Sequence, residues 1–393
     1  MLKSQHWQNS LKQSLRALKE KNFYRSLEIS DSAAGSHIRI GNESLINFSS
    51  NNYLGLANHP KVKQAVVRAV LKWGAGSGAS RLVSGNLKIH GDLEDKIARF
   101  KNEEAATVFS SGYLANLGAV TALAGERDLV ILDRLNHASL IDATRLSKAK
   151  LWVIPHKDVS ALDRLLERAK GFKKKLVLTD AYFSMDGDVA PLDKLLEVCK
   201  RHGAMLMVDE AHSTGVFGKT GSGLAEQFGL SGKIDVVMGT LSKALGSVGG
   251  FIAGKKVLKE YLINRSREFI YTTAPAPSAS AGALEAIRQI ETQPSLRKKY
   301  WGLIILVRNG LKELGFDLMG SEGPIIPLLI RDTKKVLRMK AFLRKEGIFA
   351  SAIRPPTVPR NTDRIRLSIT AEHTKDDLNK LLGVLKKARQ KIL

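Results

Sequence analysis

The chain has 393 residues, of which 44% are hydrophobic and 25% charged, so it can bury a large core and is not a disordered protein. A single cysteine, Cys199, excludes an internal disulfide and a cysteine-based metal cluster, and we predict no metal site. The net charge of +24 attracts polyanions, but the basic residues are scattered, which favours a solvated basic surface over a nucleic-acid-binding footprint.

Neither a membrane span nor a leader is expected. No uninterrupted apolar stretch approaches the length of a transmembrane helix, and residues 1–7 lack the apolar core of a signal peptide. These features predict a cytoplasmic protein that does not bind membranes.

The N-terminal part is predicted to form a helical arm followed by a short hairpin. Apolar residues recur at helical spacing from Trp7 onward, so we place a helix at residues 7–28. Residues 37–40 and 45–48 are predicted to be strands that turn at Gly41-Asn42.

From residue 60, short apolar strands alternate with amphipathic helices. This alternation predicts a largely parallel sheet covered by helices on both faces, with the ligand site beyond the carboxyl ends of the strands. The residues at those ends are Asp133, Asp180, Asp209 and Gly239. The predicted helices are 61–73, 90–101, 113–124, 138–147, 160–170 and 192–202, and the predicted strands are 106–109, 129–133, 151–154, 176–179, 205–208 and 236–238.

The last hundred residues are predicted to form a small α+β domain. A long helix near 278–292 ends before Pro294, which we take as the boundary. The predicted domains are an arm at 1–50, a large domain at 51–292 and a small domain at 293–393. Within the small domain we predict helices at 296–313, 334–346 and 374–391 and strands at 325–330 and 365–369.

The segment 239–250 carries the most specific chemistry. Lys243 lies among small, hydroxylated and glycine residues just after the apolar run 236–238, which places its amine near the floor of a pocket. The neighbouring strand ends in Asp209. A lysine that binds an aldehyde carbon and an acid that pairs with a pyridinium nitrogen are what Schiff-base chemistry on pyridoxal phosphate requires. The sequence therefore predicts a pyridoxal-phosphate enzyme.

Four further residues can complete a site around this lysine, although each also has a structural interpretation. His212 is either a core histidine or a partner of the cofactor's phenolic oxygen, and Ser184 is either a turn residue or a second partner of that oxygen. Thr240 is either a turn residue or a donor to the phosphate. His137 is either exposed at a helix start or stacked on the ring as a proton donor, since its ordinary pKa is close to working pH. We favour the functional interpretation of His212, Thr240 and His137 and leave that of Ser184 open.

The segment Ser110-Ser111-Gly112-Tyr113 ends a strand and opens a helix. Glycine permits close approach of a ligand, and the first amides of a helix have no intrahelical acceptor, so this segment predicts a phosphate site. The glycine-rich stretch 74–81 does not follow a strand and lacks the P-loop pattern, so we reject a nucleotide site there.

Five segments together resemble the α-oxoamine synthases, which are pyridoxal-phosphate enzymes of fold type I. They are Thr240-Leu241-Ser242-Lys243, Asp209-Glu210-Ala211-His212, Asn136-His137-Ala138-Ser139, Phe183-Ser184-Met185-Asp186-Gly187 and Asn51-Asn52-Tyr53-Leu54-Gly55-Leu56. The resemblance covers nearly the whole chain in one order. It implies an α/β fold with a central, mostly parallel seven-stranded sheet sandwiched by helices, a small C-terminal domain and an N-terminal helical arm.

The resemblance also implies a role for each site residue. Lys243, Asp209 and His137 are the catalytic residues, as Schiff-base lysine, pyridinium partner and stacking residue. The remaining cofactor-binding residues are Gly112, Tyr113 and Thr240 at the phosphate, Ser184 and His212 at the phenolic oxygen, and Thr272 or Thr273 reaching the phosphate of the partner subunit in a homodimer. The substrate-binding residues are Arg25, Asn51, His137, Arg354 and Thr357, with Arg354 holding the amino acid's carboxylate by a two-pronged contact.

Within the family, the segment Ala352-Ile353-Arg354-Pro355-Pro356-Thr357-Val358-Pro359 resembles the biotin-pathway branch, as does Phe23-Tyr24-Arg25. That branch condenses L-alanine with a pimeloyl thioester, either pimeloyl-CoA or pimeloyl-acyl carrier protein, and releases carbon dioxide and the thiol carrier. The alternative is the branch that joins glycine to acetyl-CoA, which typically carries aromatic and apolar residues at 353–355. From another class, the alternative is a basic nucleic-acid-binding protein.

Overall fold

Helices and strands alternate along residues 4–393, which are the residues that the computed structural model describes. The helices are α1 (Ser4–Glu20), α2 (Pro60–Trp73), α3 (Lys88–Lys101), α4 (Gly112–Leu123), α5 (Ala138–Ser147), α6 (Val159–Arg168), α7 (Leu192–Arg201), α8 (Leu224–Gln227), α9 (Lys256–Arg265), α10 (Arg267–Ile270), α11 (Pro277–Thr292), α12 (Pro294–Glu313), α13 (Thr333–Lys345) and α14 (Lys375–Ile392). The strands are β1 (His37–Ile40), β2 (Glu43–Asn47), β3 (Ala105–Phe109), β4 (Leu129–Asp133), β5 (Lys150–Ile154), β6 (Lys175–Asp180), β7 (Met205–Asp209), β8 (Val236–Thr240), β9 (Gly250–Gly254), β10 (Ile325–Leu329), β11 (Ile348–Phe349), β12 (Ser351–Ile353) and β13 (Arg364–Ser368).

A seven-stranded sheet forms the centre of the fold, in the order β3-β9-β8-β7-β6-β4-β5. Neighbouring strands are parallel except that β9 runs antiparallel to both β3 and β8. The predicted, largely parallel sheet is therefore confirmed. The periodicity does not reveal β9 itself, because that strand begins and ends with glycine, a residue that weakens a strand pattern.

Helices cover both faces of this sheet. In β4, Leu129 and Ile131 belong to one cluster of buried apolar side chains, whereas Val130 and Leu132 belong to another. Because successive side chains of a strand point to opposite faces, the two clusters lie on opposite sides of the sheet. A strand that is buried on both faces must be apolar throughout, which explains the continuous apolar runs of the sequence.

One edge of the sheet gathers the polar residues that end its parallel strands. The last residues of β4, β6, β7 and β8 are Asp133, Asp180, Asp209 and Thr240. Asp180 and Asp209 are direct partners in the register of β6 and β7, so their side chains share one face of the sheet. This edge therefore positions the candidate site.

The arm helix α1 ends at Glu20, not at residue 28 as predicted. Asn22 has a left-handed backbone conformation with a φ of 58°, and the amides of Phe23 and Tyr24 both donate to the carbonyl of Leu18. This geometry stops the helix, and residues 23–36 continue without regular structure.

Two small three-stranded sheets lie outside the central sheet, in the orders β1-β2-β11 and β10-β13-β12. The predicted hairpin around Gly41-Asn42 is confirmed, and its second strand also pairs in parallel with β11. Residues 43–47 and 348–349 thus share a sheet. The division of the chain into domains at residues 50 and 292 stays a prediction. Within residues 4–393, no helix combines the length and the apolarity that a bilayer crossing needs.

Candidate active site

A cavity of about 240 Å³ opens at the carboxyl edge of the central sheet. The predicted cofactor residues that line it are Gly112, Tyr113, His137, Asp209, His212, Thr240 and Lys243. Residues without a predicted role complete the wall, namely Ser111, Asn116, Ser139, Asp180, Ala211, Met238 and Ser242. The fold thus brings together residues more than a hundred positions apart, because parallel strands present their carboxyl ends at the same edge.

Lys243 follows β8 and its side chain is half-buried. Burial lowers the pKa of Lys243 from 10.5 to about 8, although Asp209 and Asp180 act in the opposite direction. A larger fraction of its amine is therefore uncharged near neutral pH than in an exposed lysine. The uncharged amine is the form that attacks an aldehyde carbon.

Asp209 is held by two hydrogen bonds at the floor of the cavity. Its Oδ2 accepts from Nδ2 of Asn116 and its Oδ1 accepts from the backbone amide of Ala211, each at 2.8 Å. Asn116 Nδ2 also donates to Oγ of Ser139 at 2.8 Å, whereas its Oδ1 is buried and has no hydrogen-bond partner among the residues described. Asn116 thus links Asp209 to the segment of His137 and leaves one acceptor free.

His137 lies at the start of α5 with its ring at the cavity. Its Nδ1 is 2.8 Å from Oγ of Ser139 and accepts from the Ser139 amide at 3.3 Å, while its own backbone amide donates to Oδ2 of Asp180 at 2.8 Å. Desolvation by the surrounding protein lowers the pKa of His137, with Lys243 acting in the same direction and Asp209 against it. The ring is therefore mostly neutral near pH 7.

His212 belongs to a buried network that reaches Arg366 in β13. The hydroxyl of Tyr53 lies 2.6 Å from Nδ1 of His212 and donates to Oδ1 of Asn51 at 3.3 Å. That same Oδ1 accepts from Nη2 of Arg366 at 3.2 Å, and Nε of Arg366 donates to the carbonyl of Ser184 at 2.6 Å. Burial, together with the Lys243 and Arg366 cations, lowers the pKa of His212 well below its ordinary value, so this imidazole is neutral.

The predicted phosphate side is formed by the start of α4 and the end of β8. Thr240 Oγ1 donates to the carbonyl of Gly249 at 2.9 Å and lies 2.7 Å from Oγ of Ser242. A Cβ added to Gly112 lies 3.1 Å from Cε of Met238 and 3.3 Å from Oγ1 of Thr240, so a larger residue narrows the cavity here. The bare backbone at Gly112, the free amides of α4 and the unpartnered Asn116 oxygen fit pyridoxal phosphate, which offers an anion and hydrogen-bonding ring substituents.

Three of the predicted substrate-binding residues, Arg25, Arg354 and Thr357, do not line this cavity. They connect the segment around residues 22–25 with the segment around residues 354–357. Nη2 of Arg25 donates to Oγ1 of Thr357 at 3.1 Å. Arg354 donates through Nε to the carbonyl of Asn22 at 2.6 Å and through Nη2 to that of Tyr24 at 3.1 Å. These contacts attach the arm to the segment that follows β12.

Ser184, Thr272 and Thr273 also lie outside the cavity wall. Ser184 contacts Arg366 through its carbonyl, as described above, and the Thr273 carbonyl accepts from Oγ of Ser110 at 3.2 Å. Ser110 immediately precedes the wall residue Ser111, so the segment 272–273 approaches the phosphate side within the same chain.

The sequence patterns gave no role to Arg366 or Asn116. Arg366 is buried within β13, although an alternating Arg-Ile-Arg-Leu-Ser strand normally exposes its charged residues. Asn116 lies one turn into α4 and lines the cavity. Its spacing of four residues from Gly112 puts both residues on the same helix face, and this spacing could have predicted its place in the site.

Comparison with known proteins places this geometry in a family. The chain matches the family model "Aminotransferase class I and II" over residues 43–385. It is 43% identical over 392 residues to the 8-amino-7-oxononanoate synthase of Thermoanaerobacter pseudethanolicus, covering 100% of this chain and 99% of that protein.

Two solved structures share the fold. A serine palmitoyltransferase from S. paucimobilis, solved with a PLP-myriocin adduct, aligns with a TM-score of 0.93 at 33% identity and covers 98% of this chain and 97% of that chain. The 8-amino-7-oxononanoate synthase from Francisella tularensis aligns with a TM-score of 0.78 at 30% identity, covering 88% and 98%. The predicted fold type is confirmed. The chain belongs to the class I and II aminotransferase family and, within it, to the 8-amino-7-oxononanoate synthases.

Proposed function

We propose that the chain catalyses the decarboxylative condensation of L-alanine with a pimeloyl thioester. The products are 8-amino-7-oxononanoate, carbon dioxide and the free thiol carrier, in a step of biotin biosynthesis. The observation that carries this proposal is the meeting of Lys243 and Asp209 in one cavity of a chain 43% identical to a synthase of that name. The acyl carrier is coenzyme A or an acyl carrier protein.

Pyridoxal 5′-phosphate is the cofactor, and the cavity residues are suited to hold it. Lys243 would bind its aldehyde carbon, Asp209 would pair with its ring nitrogen, and the start of α4 with Thr240 would receive its phosphate. His212, which lines the cavity, would contact its phenolic oxygen, whereas Ser184 lies outside the cavity wall. When bound, the cofactor supplies an electron-accepting ring that stabilises negative charge on the α-carbon of the amino acid.

Lys243 and His137 move the protons. Once L-alanine has displaced Lys243 from the cofactor, the released, uncharged amine of Lys243 would take the α-proton of L-alanine, and its lowered pKa supports that role near neutral pH. Asn116 donates to Oγ of Ser139, which leaves the Ser139 hydroxyl proton for Nδ1 of His137. With Nδ1 accepting, Nε2 carries the ring proton, so Nε2 is the atom that donates toward the acyl oxygen.

Two arginines are candidates for the carboxylate anchor. The resemblance favours Arg354, but Arg354 does not line the cavity and contacts backbone carbonyls of the arm instead. Arg366 is buried, contacts Asn51 and the Ser184 turn, and is close enough to Lys243 and His212 to lower the pKa of both. The contacts support Arg366 as the anchor, with planar two-point recognition that lysine does not reproduce.

The acyl donor is assigned to the side of the arm. Arg25, Arg354 and Thr357 lie together there and offer two cations to the negatively charged end of a pimeloyl chain. The enzyme is proposed to be a cytoplasmic homodimer in which Thr272 or Thr273 of each chain reaches the phosphate held by the partner.

The decisive experiment supplies the purified enzyme with pyridoxal phosphate and a matrix of substrates. L-alanine, glycine and L-serine are each paired with pimeloyl-CoA, pimeloyl-acyl carrier protein, acetyl-CoA and palmitoyl-CoA, and products are weighed by mass spectrometry. We expect product from L-alanine with a pimeloyl donor. Preferred turnover of glycine with acetyl-CoA, or of serine with palmitoyl-CoA, contradicts the proposal.

A further inference from the structure

Two carboxyl groups, not one, lie at the floor of the cavity. Asp180 and Asp209 end neighbouring parallel strands and are direct partners in their register, so both side chains project from the same face. Each residue is only 4% exposed. Two buried carboxyls side by side cannot both be ionised without a large electrostatic cost.

The hydrogen bonds decide which carboxyl keeps the charge. Asp209 accepts from the Asn116 amide group and from the backbone amide of Ala211. Among residues 4–393, the carboxyl of Asp180 accepts from the backbone amide of His137 alone. Donors to an anion stabilise it, so the better-supplied Asp209 is the anion and Asp180 retains the proton.

The surroundings of Asp180 also favour its protonated form. Burial is the main cause that raises the pKa of Asp180 well above its ordinary value, and Asp209 and Asp133 act in the same direction. The His137 amide and the Lys243 ammonium oppose them.

The carboxyl of Asp180 also fixes the turn that carries His137. Its Oδ2 accepts from the His137 amide at 2.8 Å, and its own backbone amide donates to Oδ1 of Asn136 at 3.2 Å. The turn after β4 is thus attached to the end of β6 through side-chain contacts in both directions. Among them, the contact made by the Asp180 carboxyl is the one nearest the His137 ring.

We propose that Asp180 is a positioning residue: an uncharged carboxylic acid that holds the backbone of His137 and leaves Asp209 as the anion facing the cofactor ring. The part that concerns the ring rests on the proposed function. The charge state itself is a property of this cavity and does not depend on the substrate.

Infrared spectroscopy of the full chain without cofactor tests the charge state. At pH 7 the parent is expected to show the carbonyl stretch of a buried, protonated carboxyl group that is missing from Asp180→Asn. A difference spectrum between the parent and Asp180→Asn isolates this band from other acids. If that spectrum lacks the band, or if the band disappears only in Asp209→Asn, the assignment is overturned.

Exchange of the α-proton of L-alanine in D₂O, followed by NMR on the holoenzyme, tests the positioning role without an acyl donor, because the resemblance also implies that the His137 ring stacks on the cofactor ring that stabilises charge on the α-carbon. Asp180→Asn keeps a neutral acceptor for the His137 amide and should exchange within about twofold of the parent. Asp180→Ala removes one hydrogen bond and should exchange about threefold to tenfold more slowly, with little change in the KM for L-alanine.

The outcomes separate the inference from the proposed function. If Asp180→Asn is as impaired as Asp209→Asn, an anion is needed at 180 and the proposal fails. If both Asp180 variants match the parent, the contact does not position His137. If the parent itself exchanges no proton, the proposed function is at fault, while the infrared result still decides the charge of Asp180.

Discussion

Replacing Lys243 by methionine tests how strongly the cavity disfavours a charge. The pKa of Lys243 falls from 10.5 to about 8 because the folded protein buries its amine. Each tenfold change in an ionisation constant corresponds to ~1.4 kcal/mol, so folding with this lysine protonated costs about 3 kcal/mol. The methionine side chain has a similar shape and carries no charge. Lys243→Met is therefore expected to raise the free energy of unfolding of the cofactor-free protein at pH 7 by about 3 kcal/mol.

The pH dependence identifies the cause. Below pH 8 the lysine is protonated in both states, so the folded protein carries the full cost. Between pH 8 and 10.5 the folded state releases the proton first, and the advantage of the variant should shrink to about 2 kcal/mol at pH 9 and below about 0.5 kcal/mol at pH 10.5. Urea unfolding at these three pH values measures it.

A control and a refuting result are available from the same experiment. Lys194→Met replaces an exposed lysine of α7, and its free energy of unfolding should stay within about 0.5 kcal/mol of the parent at every pH. If the difference between parent and Lys243→Met does not change from pH 7 to 10.5, burial does not lower this pKa. In that case the uncharged fraction of Lys243 at pH 7 is not roughly 300-fold larger than that of an ordinary lysine, which is what the lowered pKa implies.

Three further predictions concern the cofactor and substrate contacts. Asp209→Asn should still bind pyridoxal phosphate, as absorbance titration will show. It should exchange the α-proton of L-alanine at least about 100-fold more slowly, because the ring nitrogen then lacks a carboxylate partner. Exchange at the parental rate contradicts the pairing of Asp209 with the ring nitrogen. Arg366→Lys should raise the KM for L-alanine about tenfold or more, whereas Arg354→Lys should change it less than about twofold, and the reverse order in steady-state kinetics assigns the carboxylate to Arg354. Gly112→Val should weaken cofactor binding in equilibrium dialysis, because the added side chain meets Met238 and Thr240. Equal affinity in the variant speaks against a phosphate site there. The control is Gly125→Val, which should bind the cofactor like the parent, since no described residue other than its chain neighbours lies within 4 Å of its added Cβ.

The carboxyl ends of β4, β6, β7 and β8 could be predicted because each of these strands contains a clear apolar run. Asp209 comes directly after such a run and Lys243 lies shortly after another, and strands buried on both faces leave little ambiguity about where they stop. Once the sheet is known to be parallel, those ends must meet at one edge. The cavity wall from β4 to β8 is therefore a consequence of local patterns.

Arg366 could not be found in this way, because its burial depends on a contact far along the chain. The strand β13 reads as alternating polar and apolar, which normally indicates an exposed face. In the fold, Arg364 donates to Asp186 at 2.9 Å and Arg366 to the carbonyl of Ser184, so the turn after β6 covers that face. The partners of the two arginines lie 178 and 182 residues earlier, beyond the reach of any periodicity.

The early end of α1 has a more local cause that periodicity also overlooks. Apolar residues continue past Glu20 at positions compatible with a helix, but Asn22 takes the left-handed conformation and the helix stops. Asparagine is among the residues that tolerate this conformation, so the signal was present as a residue type.

The link from Tyr53 and Asn51 through Arg366 to the Ser184 turn has a consequence for synthesis on the ribosome. Translation makes β4 to β8 well before β13, so a nascent chain that has emerged only to residue 350 contains Lys243 but no guanidinium for Asn51 or Ser184. Such long-range closure is slow to form and leaves the earlier segments without their final partner until β13 has been made. Binding of vitamin B6 to the newly made polypeptide should therefore follow the synthesis of β13.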